Sequence, residues 1–311
     1  MKKACSLFLI LTLCLSLGAC GEAPAASAET AAPELNVEAP SAPETETLPQ
    51  PTTEETTVPT EAAPYITAEE QLLLDVEDLK VYVTGIDLTQ KLGPAVLLRL
   101  ENNADVMRSV QSSYCTVNGC MMDPLLAKEL EPGQSIEAEM NFFNDRLNLA
   151  GIEELADIRL SFWVLNNGET TDSFRTALYP VKTSISDTAV PSFDDSGELL
   201  YEDEMYKISY KGVDPTYFSS GPSVILLIEN KTDEMLTFQP RDATLEGKTI
   251  RPSMSEHIVG HACSVVPLFF YQNEIEEAGV TAFTDLALQF SVSTSDIFGP
   301  RYKTEVIHFP F

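Results

Sequence analysis

The sequence predicts an all-β protein: two tandem, duplicated antiparallel β-sandwiches, each with one short helical crossing, after a disordered N-terminal tether. Three observations carry this. Residue identities recur at a fixed spacing of 128, apolar residues alternate with period two inside each copy, and a long acidic stretch poor in hydrophobic residues precedes both. Period-two alternation places every second side chain on one face of a strand, so it signals a sheet with one buried side.

The repeat comes first because it sets the domain count. "ENNADVM" at 101–107 answers "ENKTDEM" at 229–235. At the same spacing Gly93-Pro94 matches Gly221-Pro222, and Phe142 matches Phe270. Ala150-Gly151 matches Ala278-Gly279, while Asp157, Phe162 and Thr176 match Asp285, Phe290 and Thr304. Upstream, Gly85-Ile86-Asp87 answers Gly212-Val213-Asp214 one residue out of step, which puts the extra residue in the loop "LTQKLGP" versus "PTYFSSGP". A Gly/Pro-containing loop tolerates such a length change. Two copies are too few for a solenoid, so each is read as a complete domain, at 65–185 and 205–311, with an acidic joint at 186–204.

Within each copy the strands follow from pattern. "LKVYVTGI" and "IEAEMNFF" alternate, whereas "AVLLRLEN" and "SVILLIEN" are more continuously apolar, as central strands are. "VNGC" and "LEGK" are hairpin turn signals, the Asn-Gly pair being the stronger because both residues accept positive φ. About seven strands per copy with closely spaced turns make a sandwich. "NDRLNLAGIEELADI" breaks the period with Leu147, Ile152 and Leu155 near helical spacing and Asn144 as N-cap, and "QNEIEEAGVTAFTDL" repeats it. A helical turn or two crossing the sandwich end is expected there.

A strand ending in "FF" or "FY", a short helical crossing and a return strand "DIRLSFWV" or "DLALQFSV" is similar to the turn between the fifth and sixth strands of immunoglobulin-like domains. The Cys…Trp…Cys signature of antibody domains is absent. The whole layout resembles the tandem immunoglobulin-like lipoproteins of uncharacterised function found in Gram-positive gut bacteria. That resemblance implies extracytoplasmic display and no known activity.

The N-terminus reads as an address. Met1-Lys2-Lys3 is a positive n-region, Ala4 to Ser16 an apolar core too short to span a bilayer as a mature helix, and Leu17-Gly18-Ala19-Cys20 a cleavage site that resembles the bacterial lipobox. Residues 1–19 are then a signal peptide and Cys20 the lipidated first residue, its two acyl chains giving stable membrane attachment. Residues 20–64 form the tether, with nine glutamates and no basic residue. Such a composition buries too little apolar surface to offset its ordering entropy. At roughly 3.1 Å per residue it reaches on the order of 130 Å when stretched.

The net charge is −29, of which about −22 belongs to the folded part. Nucleic acid and anionic membrane surfaces are repelled by such a field. No P-loop, GxSxG or HExxH motif occurs, "DDSGELLYEDE" lacks the spacing of an EF-hand loop, and no cofactor is expected. Cys115 and Cys120 flank the Asn-Gly turn as a candidate disulfide, although a two-residue turn sets Val117 opposite Cys120 and leaves Cys115 diagonal. His257, His261 and Cys263 in "EHIVGHAC" have zinc-ligand chemistry, but copy one has a Pro-Gly turn there and a structural site needs a fourth ligand. Glu101/Glu229, Asn102/Asn230, Asp105/Asp233 and Asp157/Asp285 sit at strand ends and turns, where such side chains cap backbone groups.

Trp163 is the candidate binding residue. Phe162 and Phe290 align as core, so alternation turns Trp163 outward, where copy two has Ser291. The function expected is non-catalytic binding or display: a membrane partner through the lipid on Cys20, and a protein or glycan of the envelope or beyond it. The alternatives are an envelope hydrolase or metal-dependent enzyme using His257 and His261, and a structural subunit of an envelope complex.

Overall fold

The computed structural model describes residues 66–215, 221–294 and 299–311; the signal peptide, Cys20 and the tether lie outside the described residues. Copy one comprises, in chain order, β1 (Gln71–Val76), β2 (Leu79–Asp87), β3 (Ala95–Asn102), β4 (Arg108–Ser112), β5 (Cys115–Val117), β6 (Cys120–Met122), β7 (Ala127–Leu130), β8 (Ser135–Asn141), α1 (Asn144–Leu149), β9 (Ile158–Leu160), β10 (Phe162–Asn166), β11 (Glu169–Arg175) and β12 (Tyr179–Val181). Copy two comprises β13 (Glu198–Glu202), β14 (Tyr206–Asp214), β15 (Ser223–Asn230), β16 (Leu236–Leu245), β17 (Lys248–Thr249), β18 (Glu256–Ile258), β19 (Cys263–Phe269), α2 (Gln272–Glu277), β20 (Leu286–Thr294), β21 (Arg301–Lys303) and β22 (Ile307–His308).

The protein is an all-β sandwich structure, and the repeat holds element by element. At the spacing of 128, β3 falls on β15, β8 on β19 and α1 on α2, while β4 with β5 spans the same positions as the unbroken β16. In copy one, β1-β2-β3-β8 forms one sheet and β11-β10-β4-β7 another. In copy two, β17-β16-β20-β21 forms a sheet with β18 and β22 alongside. An eight-stranded sheet, β12-β9-β5-β6-β19-β15-β14-β13, runs from copy one into copy two. Its crossing point is the one parallel pair among the described strands, between β6 and β19 at Cys120 and Cys263, where the Cys263 N–H donates to the Gly119 carbonyl at 2.9 Å.

The residues that repeat are those the backbone requires. Asn102 and Asn230 are buried at the ends of β3 and β15. The Asn102 amide donates to the carbonyls of Val106, Leu130 and Glu131 at 2.8, 3.1 and 3.2 Å, and its oxygen accepts from the Ala104 N–H at 3.1 Å. Asn230 does the same with Glu234, Ile258 and Val259 at 2.7, 2.9 and 3.2 Å, and with Thr232 at 3.0 Å. Each carboxamide therefore sews the strand end to the β7 or β18 crossing, as capping predicts. Gly93 and Gly221 repeat for space: a Cβ there would lie 2.0 Å from the carbonyl oxygen of Phe142 or Phe270. Thr176 and Thr304 each accept from the N–H of Phe162 or Phe290, both at 2.9 Å.

Both hairpin turns have the expected conformation, with positive φ at Asn118 and Gly119 and at Glu246 and Gly247. The expected N-cap shifts by one residue. Phe143 is the N-cap of α1 without a side-chain bond, while Asn144 is drawn into the helix because its N–H donates to the Leu92 carbonyl at 2.8 Å. The stretch expected as joint is partly strand, since Glu198–Glu202 is β13 and pairs with β14. Residues before it are fastened on both sides. Asn118 donates to the Ser192 carbonyl at 2.8 Å, and the Lys211 ammonium of β14 meets Asp194 at 2.8 Å, holding that carboxyl down to about 2.

The copies differ where they meet. The outer face of β15 and β19 is Ile225, Leu227, Cys263 and Val265, and all four belong to the core of copy one. The same positions in copy one are Leu97, Arg99, Ser135 and Glu137, none of them buried. Each buried aliphatic contributes about 1.5–3 kcal/mol, against roughly 1 kcal/mol for each backbone bond at the crossing. The apolar face, more than the strand pair, holds the copies together. Met121 from the β6 edge packs in return into the core of copy two.

Two stability outcomes follow from these positions. Asn230→Ala leaves three carbonyls without their donor and should lower the unfolding free energy by about 3 kcal/mol, read from the denaturant midpoint; Asn230→Asp, which cannot donate, should do no better. Arg108 is only 4% exposed, stacks 5.7 Å from the Phe174 ring, and has no hydrogen-bond partner at Nε or Nη1, where copy two has the buried Leu236. Arg108→Leu should therefore stabilise by about 1–3 kcal/mol, seen as a higher midpoint at unchanged m-value.

Candidate functional site: an aromatic and cationic row across the junction

Trp163 sits in β10 between the buried Phe162 and Val164, so its indole faces outward as alternation requires. It is half-buried, and its cover comes from the adjacent strand. Arg175, its register partner in β11, lays its guanidinium 4.4 Å from the indole centroid. The same guanidinium lies 5.3 Å from the Tyr114 ring and donates to the Ser113 hydroxyl at 3.0 Å. Tyr114 in turn meets His257 edge to face, at 6.0 Å and 78°. Trp163, Arg175, Tyr114 and His257 therefore form one row, and it crosses from copy one to copy two.

The row is built by local strand geometry. Tyr114 lies in the break between β4 and β5, which copy two lacks because β16 runs through the equivalent positions. The His257 ring is fixed from behind by a contact of 3.0 Å between Nδ1 and the Thr237 hydroxyl. Desolvation, reinforced by the Arg175 guanidinium and opposed by Asp123, holds the His257 pKa below the ordinary histidine value. At neutral pH the row thus carries one fixed positive charge, on Arg175, between aromatic faces. Cation–π pairs of this kind contribute about 0.5–1 kcal/mol at exposed sites and pre-order the rings.

The other sequence candidates separate. His261 stands in a turn at φ 57° with Nε2 2.7 Å from Asp233, His257 faces Thr237 and Tyr114, and Cys263 is buried facing Cys120. The three do not converge, and among the described residues no group of three or more His, Cys, Asp or Glu side chains is arranged to hold a metal ion. Cys115 is opposite Met122 and Val117 opposite Cys120, the diagonal arrangement expected of a two-residue turn. Cys115 and Cys120 are not joined, and burial pushes the Cys115 thiol up to about 11. A groove of about 660 Å³ opens beside β7 and β8 over Leu97, Leu126, Lys128 and Glu137, on the polar outer face of copy one. Among the described residues no helix is long and apolar enough to cross a membrane.

Sequence reasoning located Trp163 but missed its three companions. Arg175 was reachable in principle, since "GET" after Asn166-Asn167 is a turn that folds β11 back onto β10. Tyr114 and His257 were not, because they meet only through the contact between copies. The same contact half-buries Glu256, which precedes His257 and accepts from the Ser264 hydroxyl at 2.6 Å. Burial raises this carboxyl above the ordinary 4.5. The folded state then holds the proton to higher pH than the unfolded chain, so stability falls as pH rises through that window. Glu256→Gln should melt above wild type at neutral pH, with the difference closing below pH 4.5; thermal melts of both proteins across this range check it.

No protein-family model matches the chain, and no curated protein does. Among solved structures, one described as the crystal structure of the YadV chaperone is similar at 14% identity, covering 75% of this chain and 100% of that one, with a TM-score of 0.22.

Proposed function

We propose that this chain is a lipid-anchored extracytoplasmic display protein whose two immunoglobulin-like sandwiches act as one recognition body and perform no catalysis. The row of Trp163, Arg175, Tyr114 and His257 carries the reading. It offers flat aromatic surface and one fixed cation on a protein that is otherwise strongly acidic. Aromatic and arginine side chains of this kind dominate binding energy at protein interfaces, because they bury large rigid areas at little conformational cost. The partner that suits the row is an envelope or extracellular protein, or a glycan that stacks on the indole.

The address rests on the n-region, apolar core and lipobox-like Leu17 to Cys20. In this reading the lipid sets location, residues 20–64 set reach, and the sandwich pair presents the row. Intact mass and N-terminal peptide mapping of the mature chain should find it beginning at a diacylated Cys20, and Cys20→Ala should release it from membranes. With the full chain as bait, a cross-linked pull-down from the producing cells should enrich one protein or glycan, and Trp163→Ala should reduce that capture at least tenfold. Equal capture by the variant would remove the row from the function.

A further inference from the structure

The cysteines of the folded region are distributed in a way that the fold of a single copy does not explain. Cys120 corresponds to Lys248 in copy two, and Cys263 corresponds to Ser135 in copy one. Neither copy has a cysteine where the other has one. Yet the two positions are register partners across the one strand pair that joins the copies among the described residues, β6 with β19. Both side chains point into the core of copy one, at 0% and 4% exposure. Neighbouring strands lie about 4.8 Å apart, inside the Cα separation of roughly 4.4–6.8 Å that a disulfide spans.

We propose that Cys120 and Cys263 form a disulfide that staples the two sandwiches together. The third thiol supports the assignment by its position. Cys115 is diagonal to Cys120 across β5 and β6, and it donates to the Ser161 carbonyl at 3.6 Å, away from the pair. A bond from Cys120 to Cys263 closes a loop that runs through about half of each copy, so it removes more freedom from the unfolded chain than a hairpin bond between Cys115 and Cys120 would.

The chemistry is thiol–disulfide exchange with an oxidised dithiol protein or oxidised glutathione. One cysteine, as thiolate, attacks a sulfur of the oxidant to give a mixed disulfide and expels one oxidant thiolate. The second cysteine, as thiolate, attacks the chain sulfur of that mixed disulfide and expels the other. Two electrons and the two thiol protons pass to the oxidant, which leaves as two thiols, while the chain gains one S–S bond. The neighbouring Cys120 side chain and burial raise the Cys263 thiol far above its ordinary value. Exchange is therefore slow once the copies have docked, and the bond forms while β6 and β19 are still accessible during folding.

The test is refolding of the reduced full chain with oxidised glutathione, an acid quench, alkylation, and peptide mapping without reductant. The expected product joins the Cys120 and Cys263 peptides and leaves Cys115 alkylated. Cys115→Ser should keep the link and Cys263→Ser should abolish it, the serine being the residue that copy one has at that position. Reductant should lower the melting temperature of wild type and of Cys115→Ser. Free thiols at both positions after oxidative refolding, or a link from Cys120 to Cys115, would overturn the proposal, and the wild-type map decides this even if a variant fails to fold. Only the natural oxidant rests on the extracytoplasmic reading: a link formed with glutathione but missing from chain isolated from its own cells would count against that location and not against the pairing.

Discussion

A sheet buried on both faces is the constraint on which the rest of the molecule depends. β15 and β19 turn Val224, Leu226, Ile228, Val266 and Leu268 to the core of copy two, and Ile225, Leu227, Cys263 and Val265 to the core of copy one. A strand with both sides in apolar surroundings can carry no exposed charge along its middle, which accounts for the continuous "SVILLI" run. The corresponding β3 keeps Leu97 and Arg99 on a face that meets solvent, with Arg99 paired to Glu70 at 2.9 Å. Two segments of common layout thus have opposite surface character because only one of them is a shared wall.

The shared wall also explains the polar features of the junction. Bringing β6 alongside β19 places Tyr114 and Arg175 beside His257, and encloses Glu256 near Asp123 and Arg146, which form an ion pair of 3.3 Å. Each of these groups also has partners within its own sandwich, Arg175 with Trp163 and His257 with Thr237. Their arrangement is a by-product of packing that gives the joined surface properties neither copy has alone. The fastening of the acidic stretch by Asn118 on one side and Lys211 on the other works in the same direction, since both ends of the connection are fixed to folded structure.

Much of the fold was legible because its determinants are local or repeated. Alternation in β2 and β8 is visible within one copy, while turn conformation at Asn118-Gly119 and the backbone approach that excludes any side chain at Gly93 leave the same mark twice, and a repeat makes such marks visible in one sequence. The capping of Asn102 and Asn230 was read correctly as to kind, though not as to the three carbonyls each one serves. What escaped were contacts between copies. The burial of Ile225 and Leu227, the row beyond Trp163, and the meeting of Cys120 with Cys263 depend on the docking of two units, and no periodicity within one unit records it. The differences between copies did record it: Leu227 against Arg99, Val265 against Glu137 and Cys263 against Ser135 are apolar replacements along one face.

That face has an evolutionary consequence. When the copies were identical, either could in principle have stood first, and a third could have been appended by another duplication. With Arg99 and Glu137 on one outer face and Leu227 and Val265 on the other, the order is now directional. Exchanging the copies would bury a guanidinium and a carboxylate in the wall and leave aliphatic surface in water, so each substitution that improved the junction made reversal harder. The pair behaves as a ratchet: duplication supplied two equivalent parts, and the joining of them ended their equivalence.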